Sequence, residues 1–422
     1  MNSRFQDLMR QATQLTQLGR LKEATDFVKR ALGAAKGPGT SDGRPTQDEA
    51  QTMRKSMESV LDTPRILVGT ECEVIDVTTV APEPVATEST PATKVDEQPR
   101  IIEEPDVPPA PPSPATFTSG LHTHQLQTRH YKLYAPPGAA GRQLPLVVML
   151  HGCTQDPDDF ATGTRMNDLA REEGFFVLYP AQSKSANASG CWNWFNKKDQ
   201  QRGSGEPALL AGMTQAVIDE HGIDARRVYI AGLSAGGAMA AITAAAYPDI
   251  FAAAGVHSGL PGGAASNMAE ALTAMKRGSK GPAAFAQFSR YRSEWKTAVP
   301  TIVFHGDQDS TVNPSNGEQV IAAVLNGAKE GGLQTSSEDV PHVEEGVSGQ
   351  GMRYTRSTHR NDEGNVLAEH WLLHGAGHAW SGGHGDGTYT DARGPDATRE
   401  MMRFFKDVSS ATESRTQDPK LD

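Results

Sequence analysis

The chain has 422 residues, and 40 lysines and arginines against 51 acidic residues leave a formal net charge of −11. This acidic balance repels phosphate backbones and argues against nucleic acid as the main partner, and no apolar run approaches the ~20 residues needed to span a bilayer. Hydrophobic residues make up 37% of the chain and ten of the 27 prolines fall between Pro82 and Pro114, which reads as an ordinary domain diluted by polar sequence.

Near the amino terminus, Phe5, Leu8, Met9, Ala12, Leu15 and Leu18 recur at steps of three and four. Leu21, Ala24, Phe27, Val28, Ala31 and Leu32 continue the pattern. Over residues 1–33 this predicts a helical hairpin, broken near Gly19 and stopped at Gly33. Its second half resembles a fragment of a tetratricopeptide repeat, and one such unit cannot bury its own apolar face. It is expected to dock on the main domain, on another copy of the chain, or on a protein or granule-surface partner. No uninterrupted apolar stretch of an export signal is visible, and Cys72, Cys153 and Cys191 are too few for a disulfide framework. The expectation is a cytoplasmic protein, with an extracellular one as the alternative if the chain lacks its true start. Residues 34–116 read as a low-complexity, Pro-rich, acidic linker with too little apolar surface to fold alone.

Residues 117–410 change character. Strands are predicted at Thr128–Tyr134, Leu144–Leu150, Phe175–Tyr179, Val228–Gly232, Ala252–His257, Thr301–His305, Met352–Arg360 and Ala368–Leu373. Helices are expected over Asp158–Glu172, Glu206–His221, Ser234–Tyr247 and Gly317–Leu325, with Asp396 capping a last one. Residues 259–298 read as an insertion over the sheet, and 411–422 as a disordered tail. Alternating strand and helix implies an α/β fold: a mostly parallel, twisted sheet with helices on both faces.

The strongest chemical signal is the run 228–238, VYIAGLSAGGA. Gly-x-Ser-x-Gly between a β-rich and an Ala-rich stretch makes a strand–turn–helix elbow, with Gly232 and Gly236 required by space and Ser234 as nucleophile. A nucleophilic serine needs a base and an orienting carboxylate. In the loop 305–314, HGDQDSTVNP, two acids compete. The position beyond the turn selects Asp309, and Asp307 is expected to stabilise the turn. In the loop 374–380, HGAGHAW, the Gly-flanked His378 is favoured as base over His374. For the oxyanion, backbone N–H groups are expected from Ala235 and from Cys153 in the run 150–155, LHGCTQ. His374, His378 and His384 form no acidic ligand pattern, so no metal is expected.

Six ordered motifs carry a resemblance. They are the 151–155 run HGCTQ, the 188–195 run ASGCWNWF, the elbow, the 257–259 run HSG, the 305–309 loop and the 375–383 run GAGHAWSGG. Together they resemble the esterase family of poly(3-hydroxybutyrate) depolymerases and, more distantly, feruloyl and acetylxylan esterases. The resemblance implies an α/β-hydrolase fold and hydrolysis of short-side-chain polyhydroxyalkanoate esters without a cofactor, through the triad Ser234, Asp309 and His378. Many members of that family are exported and carry a polymer-binding module. This chain shows neither signal nor module, which favours intracellular polymer, soluble oligomers or other small esters. Trp192, Trp194 and Trp380 are candidate contacts for an apolar substrate, with core packing as the alternative. Cys153 and Cys191 both follow strands on the same edge and are expected to approach each other; two free thiols are the expectation for a reducing cytoplasm. A serine peptidase of the same fold and a non-catalytic, granule-associated scaffold are the competing readings.

Overall fold

The computed structural model describes residues 113–125, 127–279, 298–332 and 340–417. The hairpin expected over 1–33 and the linker up to residue 112 lie outside the described residues, as do 280–297 of the insertion and 418–422.

The described chain opens with an antiparallel hairpin, β1 (Thr116–His124) and β2 (Gln127–Ala135). β3 (Leu146–Leu150) is followed by two short helices, α1 (Pro157–Thr164) and α2 (Met166–Glu173), and by β4 (Phe176–Pro180). Next come α3 (Gly205–His221), β5 (Val228–Leu233), α4 (Ala235–Ala246) and β6 (Ala253–His257). α5 (Met268–Arg277) precedes β7 (Thr301–Gly306) and α6 (Ser315–Glu330). β8 (His342–Val347) and β9 (Arg353–Arg360) lead to β10 (Val366–Leu373). Two-residue strands β11 (Trp380–Ser381) and β12 (Thr390–Asp391) then pin a glycine-rich segment ahead of α7 (Ala397–Gln417).

Ten strands form one sheet in the order β1-β2-β4-β3-β5-β6-β7-β10-β9-β8. The block from β4 to β10 is parallel and the hairpin strands at both edges are antiparallel. Side chains alternate across a strand, and β3 shows how this fills both layers. Leu146, Val148 and Leu150 pack with α3 and α4, while Val147 and Met149 pack with α1, α2 and α7. All five are fully buried, which is why the run is continuously apolar.

Three differences from expectation have physical reasons. β1 and β8 escape the sequence pattern because they are edge strands with mostly exposed, mixed polar and apolar side chains on both faces. The helix expected over 158–172 is two helices, broken at Arg165 in left-handed backbone (φ 55°). The Gly163 carbonyl accepts His384 N–H at 2.9 Å and the Thr164 carbonyl accepts Thr398 Oγ1 at 2.7 Å, so distant residues draw these acceptors away from the helix. Finally, α7 continues to Gln417, past the expected domain end at 410. Asp396 caps it as anticipated, its carboxylate accepting Arg399 N–H at 3.0 Å.

In a parallel block the carboxyl ends of all strands open on one edge, where open α/β sheets hold their ligands. β3, β5, β7 and β10 deliver the predicted residues to that edge. Two surface clefts of about 350 and 320 Å³ lie at the opposite, amino-terminal edge, lined by residues such as Arg142, Phe175, Pro248 and Pro300. Among the described residues no helix is long and apolar enough to cross a membrane.

Candidate active site

Ser234 links β5 to α4 with φ 58° and ψ −119°, a backbone conformation that costs a non-glycine residue free energy and persists only when its surroundings enforce it. The enforcement is steric. A Cβ on Gly236 would lie 2.1 Å from the Leu150 carbonyl oxygen, and one on Gly232 would lie 2.5 Å from Gly236 backbone. Both neighbours are main chain and cannot yield, so the turn and its approach to the end of β3 need glycine at both places. The Ser234 N–H is bound by the His257 carbonyl at 2.8 Å, and the first α4 hydrogen bond runs from Ala238 N–H to the Ser234 carbonyl at 2.9 Å.

Two His–Asp pairs stand at the ends of β7 and β10, and they differ. His378 Nδ1 is 2.7 Å from Asp309 Oδ2, and this carboxylate is fully buried. Asp309 Oδ1 accepts the N–H groups of Thr311 and Val312, both at 2.9 Å. Burial alone would raise the Asp309 pKa; hydrogen bonds from His305, His378 and Val312 outweigh it and hold the carboxyl well below the usual carboxylate range. The second pair, His374 Nδ1 to Asp307 Oδ2 at 3.1 Å, is partly exposed. His374 Nε2 is occupied by Thr355 Oγ1 at 2.9 Å, and Asp307 also accepts Gly375 N–H at 2.7 Å. His374 and Asp307 therefore tie two loops together, whereas among the described residues His378 is held through Nδ1 alone. His384 pairs separately with Asp386 at 3.4 Å, so His374, His378 and His384 each have their own carboxylate.

The loop after β3 carries Cys153. Its neighbours' N–H groups are committed, Gly152 to Gln155 Oε1 at 2.9 Å and Thr154 to the Ser189 carbonyl at 2.9 Å. Behind it, His151 is buried, with Nδ1 at 2.8 Å from the Gly152 carbonyl and Nε2 accepting Gln182 N–H at 3.1 Å. The Cys153 thiol is not free. It forms a disulfide with Cys191, with Cα atoms 4.2 Å apart. The expected approach of the two cysteines is met, and the expectation of two free thiols is not. The bond joins this loop to the segment around residue 190, which the buried Glu206 anchors further by accepting Gln182 Nε2 and the Asn193 main-chain and side-chain amides. Closing a loop across a sequence separation of 38 stabilises the fold by about 4 kcal/mol in the chain-entropy model. Unfolded, unreduced protein should therefore titrate one thiol rather than three, and Cys191→Ser should lower stability by about 2–5 kcal/mol. Three reactive thiols would contradict the pairing.

The three tryptophans are placed differently from the substrate-contact expectation. Trp192, Trp194 and Trp380 are 0%, 4% and 1% exposed. Trp192 packs with the α3/α4 layer beside His151, and Trp194 sets its ring edge-on to Phe195. Trp380 lies between Phe160 and His257 and donates Nε1–H to Thr398 Oγ1 at 3.1 Å. These are core side chains here; the large apolar surface of an indole is stabilised by such packing.

His257 is a linking position whose contacts its short motif alone does not reveal. Its carbonyl holds Ser234, and its ring, stacked between Phe304 and Trp380, accepts Ser381 N–H on Nε2 at 3.0 Å. One residue thus joins the elbow to the strand that follows His378. Complete burial pushes the His257 imidazole down to about 3, helped by nearby His305 and His378. The unfolded chain binds this proton near the ordinary value of 6.5, so stability is lost as pH falls from 6.5 towards 3, at about 1.4 kcal/mol per unit from this group. Urea midpoints between pH 7 and 4.5 should decline accordingly, and less steeply in His257→Gln. An equal slope in both proteins would contradict this.

Residues 129–335 match the family model described as Esterase PHB depolymerase. This segment is similar to that family. The chain is also similar to poly(3-hydroxyalkanoate) depolymerase C of Paucimonas lemoignei, 34% identical over 246 residues, covering 57% of this chain and 56% of the relative. Feruloyl esterase B of Thermothelomyces thermophilus is 30% identical over 192 residues, covering 42% and 63%. The chain thus spans only about three-fifths of the length of these curated relatives. Among solved structures, an acetyl xylan esterase from Aspergillus awamori superposes with a TM-score of 0.54 at 20% identity, covering 69% of this chain and 99% of that one. The fold is the α/β-hydrolase fold.

Proposed function

We propose that the chain is a carboxylic ester hydrolase acting on short-side-chain polyhydroxyalkanoate or its oligomers, with Ser234 as nucleophile, His378 as base and Asp309 as its orienting carboxylate. The observation that carries this is the buried 2.7 Å contact of Asp309 with His378 Nδ1, at the sheet edge where the elbow presents Ser234. Because Asp309 holds Nδ1, Nε2 is the nitrogen that takes the Ser234 proton as Oγ attacks the ester carbonyl. The N–H groups of Cys153 and Ala235 receive the oxyanion, each such donor contributing about 2.7–4 kcal/mol to the transition state. His378 returns the proton to the leaving alkoxide, the alcohol departs, and water repeats the sequence on the acyl-enzyme.

The family and the depolymerase relative support polyester as substrate. The disulfide supports work in an oxidising compartment, the alternative to the cytoplasmic expectation. Product analysis on amorphous polyhydroxybutyrate, beside feruloyl and acetylated xylan esters, tests the substrate. Release of 3-hydroxybutyrate oligomers is expected, and turnover confined to the xylan esters would overturn the polyester assignment.

A further inference from the structure

Tyr389 lies on the glycine-rich segment between β11 and β12, and it is 46% exposed where the three expected tryptophans are buried. Its φ is +52°, a conformation that a bulky side chain enters only when its surroundings enforce it. They do so on both sides. Trp380 donates its N–H to the Tyr389 carbonyl at 2.7 Å. On the preceding residue, Thr388 N–H and Oγ1 donate to Asp159 at 2.8 and 2.5 Å, and the Thr388 carbonyl accepts Gln155 Nε2 at 3.1 Å. On the following residue, Thr390 Oγ1 donates to the His384 carbonyl at 3.0 Å.

The tip of the side chain is tethered as well. The Tyr389 hydroxyl is 3.1 Å from Thr154 Oγ1, and Thr154 itself has φ +68°. Two non-glycine residues in left-handed backbone, 235 positions apart, therefore meet through their hydroxyls one residue beyond Cys153. Hydroxyl and backbone are both fixed, so the ring is rigid, and much of it faces solvent beside the oxyanion loop. Exposing a large ring to water is unfavourable, and a rigid aromatic surface is well suited to pack against an apolar chain at low entropic cost.

Resting on the assignment of Ser234 and Cys153 above, we propose that Tyr389 is a specificity-determining residue. Its ring forms the wall along which the apolar repeat of an oligoester lies once the scissile carbonyl occupies the oxyanion site. The test compares kcat/KM on 3-hydroxybutyrate trimer with kcat/KM on p-nitrophenyl acetate, measured in the same protein so that partial misfolding cancels. Tyr389→Ala is expected to lower the trimer-to-acetate ratio roughly five- to tenfold, chiefly through KM on the trimer. Tyr389→Phe keeps the ring and should keep the ratio within about twofold of the parent. A ratio in Tyr389→Ala within that range overturns the proposal, and so does an equal fall in Tyr389→Phe, which would place the effect in the Thr154 tether. Fluorophosphonate labelling of the parent separates the two levels. An unlabelled Ser234 overturns the catalytic assignment and this proposal together, whereas a labelled Ser234 with an unchanged ratio overturns Tyr389 alone.

Discussion

Ser234→Ala is expected to lower kcat on p-nitrophenyl butyrate by roughly 10⁴- to 10⁶-fold with KM little changed. The loss is large because, in the proposed mechanism, Oγ is the atom that forms the covalent bond, and neither the proposed base nor the proposed oxyanion donors can replace it. The fold should be unaffected. Alanine fits the space of serine, and the main-chain bonds that define the elbow, Ser234 N–H to the His257 carbonyl and Ala238 N–H to the Ser234 carbonyl, survive the change. A melting temperature close to that of the parent would show this, because the main-chain bonds of the elbow remain in place. Retention of more than a few per cent of activity would place the nucleophile elsewhere.

Asp309→Asn is expected to lower kcat by roughly 10⁴-fold, as when an orienting carboxylate becomes an amide. Asp309 uses both oxygens as acceptors, Oδ1 for the Thr311 and Val312 N–H groups and Oδ2 for His378 Nδ1. An amide has one acceptor oxygen. If that oxygen keeps the two main-chain donors, the amide NH₂ faces His378 Nδ1, which must then carry no proton, and Nε2 becomes protonated and useless as a base. The matched variant Asp307→Asn perturbs a partly exposed pair whose histidine is already committed to Thr355, and it should cost less than about tenfold. Equal losses in the two variants would contradict the assignment of Asp309 over Asp307. The depressed Asp309 pKa also has a stability consequence. Its contribution is present above the ordinary carboxylate value of 3.8 and is lost as pH falls below it, a lower window than that of His257.

What could be read from the chain, and what could not, follows from the range of the interactions involved. The elbow is legible because its glycine requirement is local: two backbone segments pass within a Cβ radius of Gly232 and Gly236. The central strands are legible because burial on both faces leaves an uninterrupted apolar run. The edge strands β1 and β8 have no such signature, and the break at Arg165 depends on carbonyls captured by His384 and Thr398, more than 200 residues away in sequence. The tryptophans expose the same limit. Nothing in the motif around Trp192 and Trp194 says whether an aromatic loop faces solvent or core, and here it packs inward. Tyr389 was missed for the converse reason, since its position beside Cys153 is set by Thr154, Gln155 and Asp159. His257 was visible as a short motif, but its link between Ser234 and Ser381 exists only in three dimensions.

The central claim is that Ser234 is an activated nucleophile. The most direct measurement is mass spectrometry of the full chain after reaction with a fluorophosphonate. One adduct is expected, mapping to Ser234, absent in Ser234→Ala and formed far more slowly in Asp309→Asn. No adduct, or an adduct on another residue, would contradict the account.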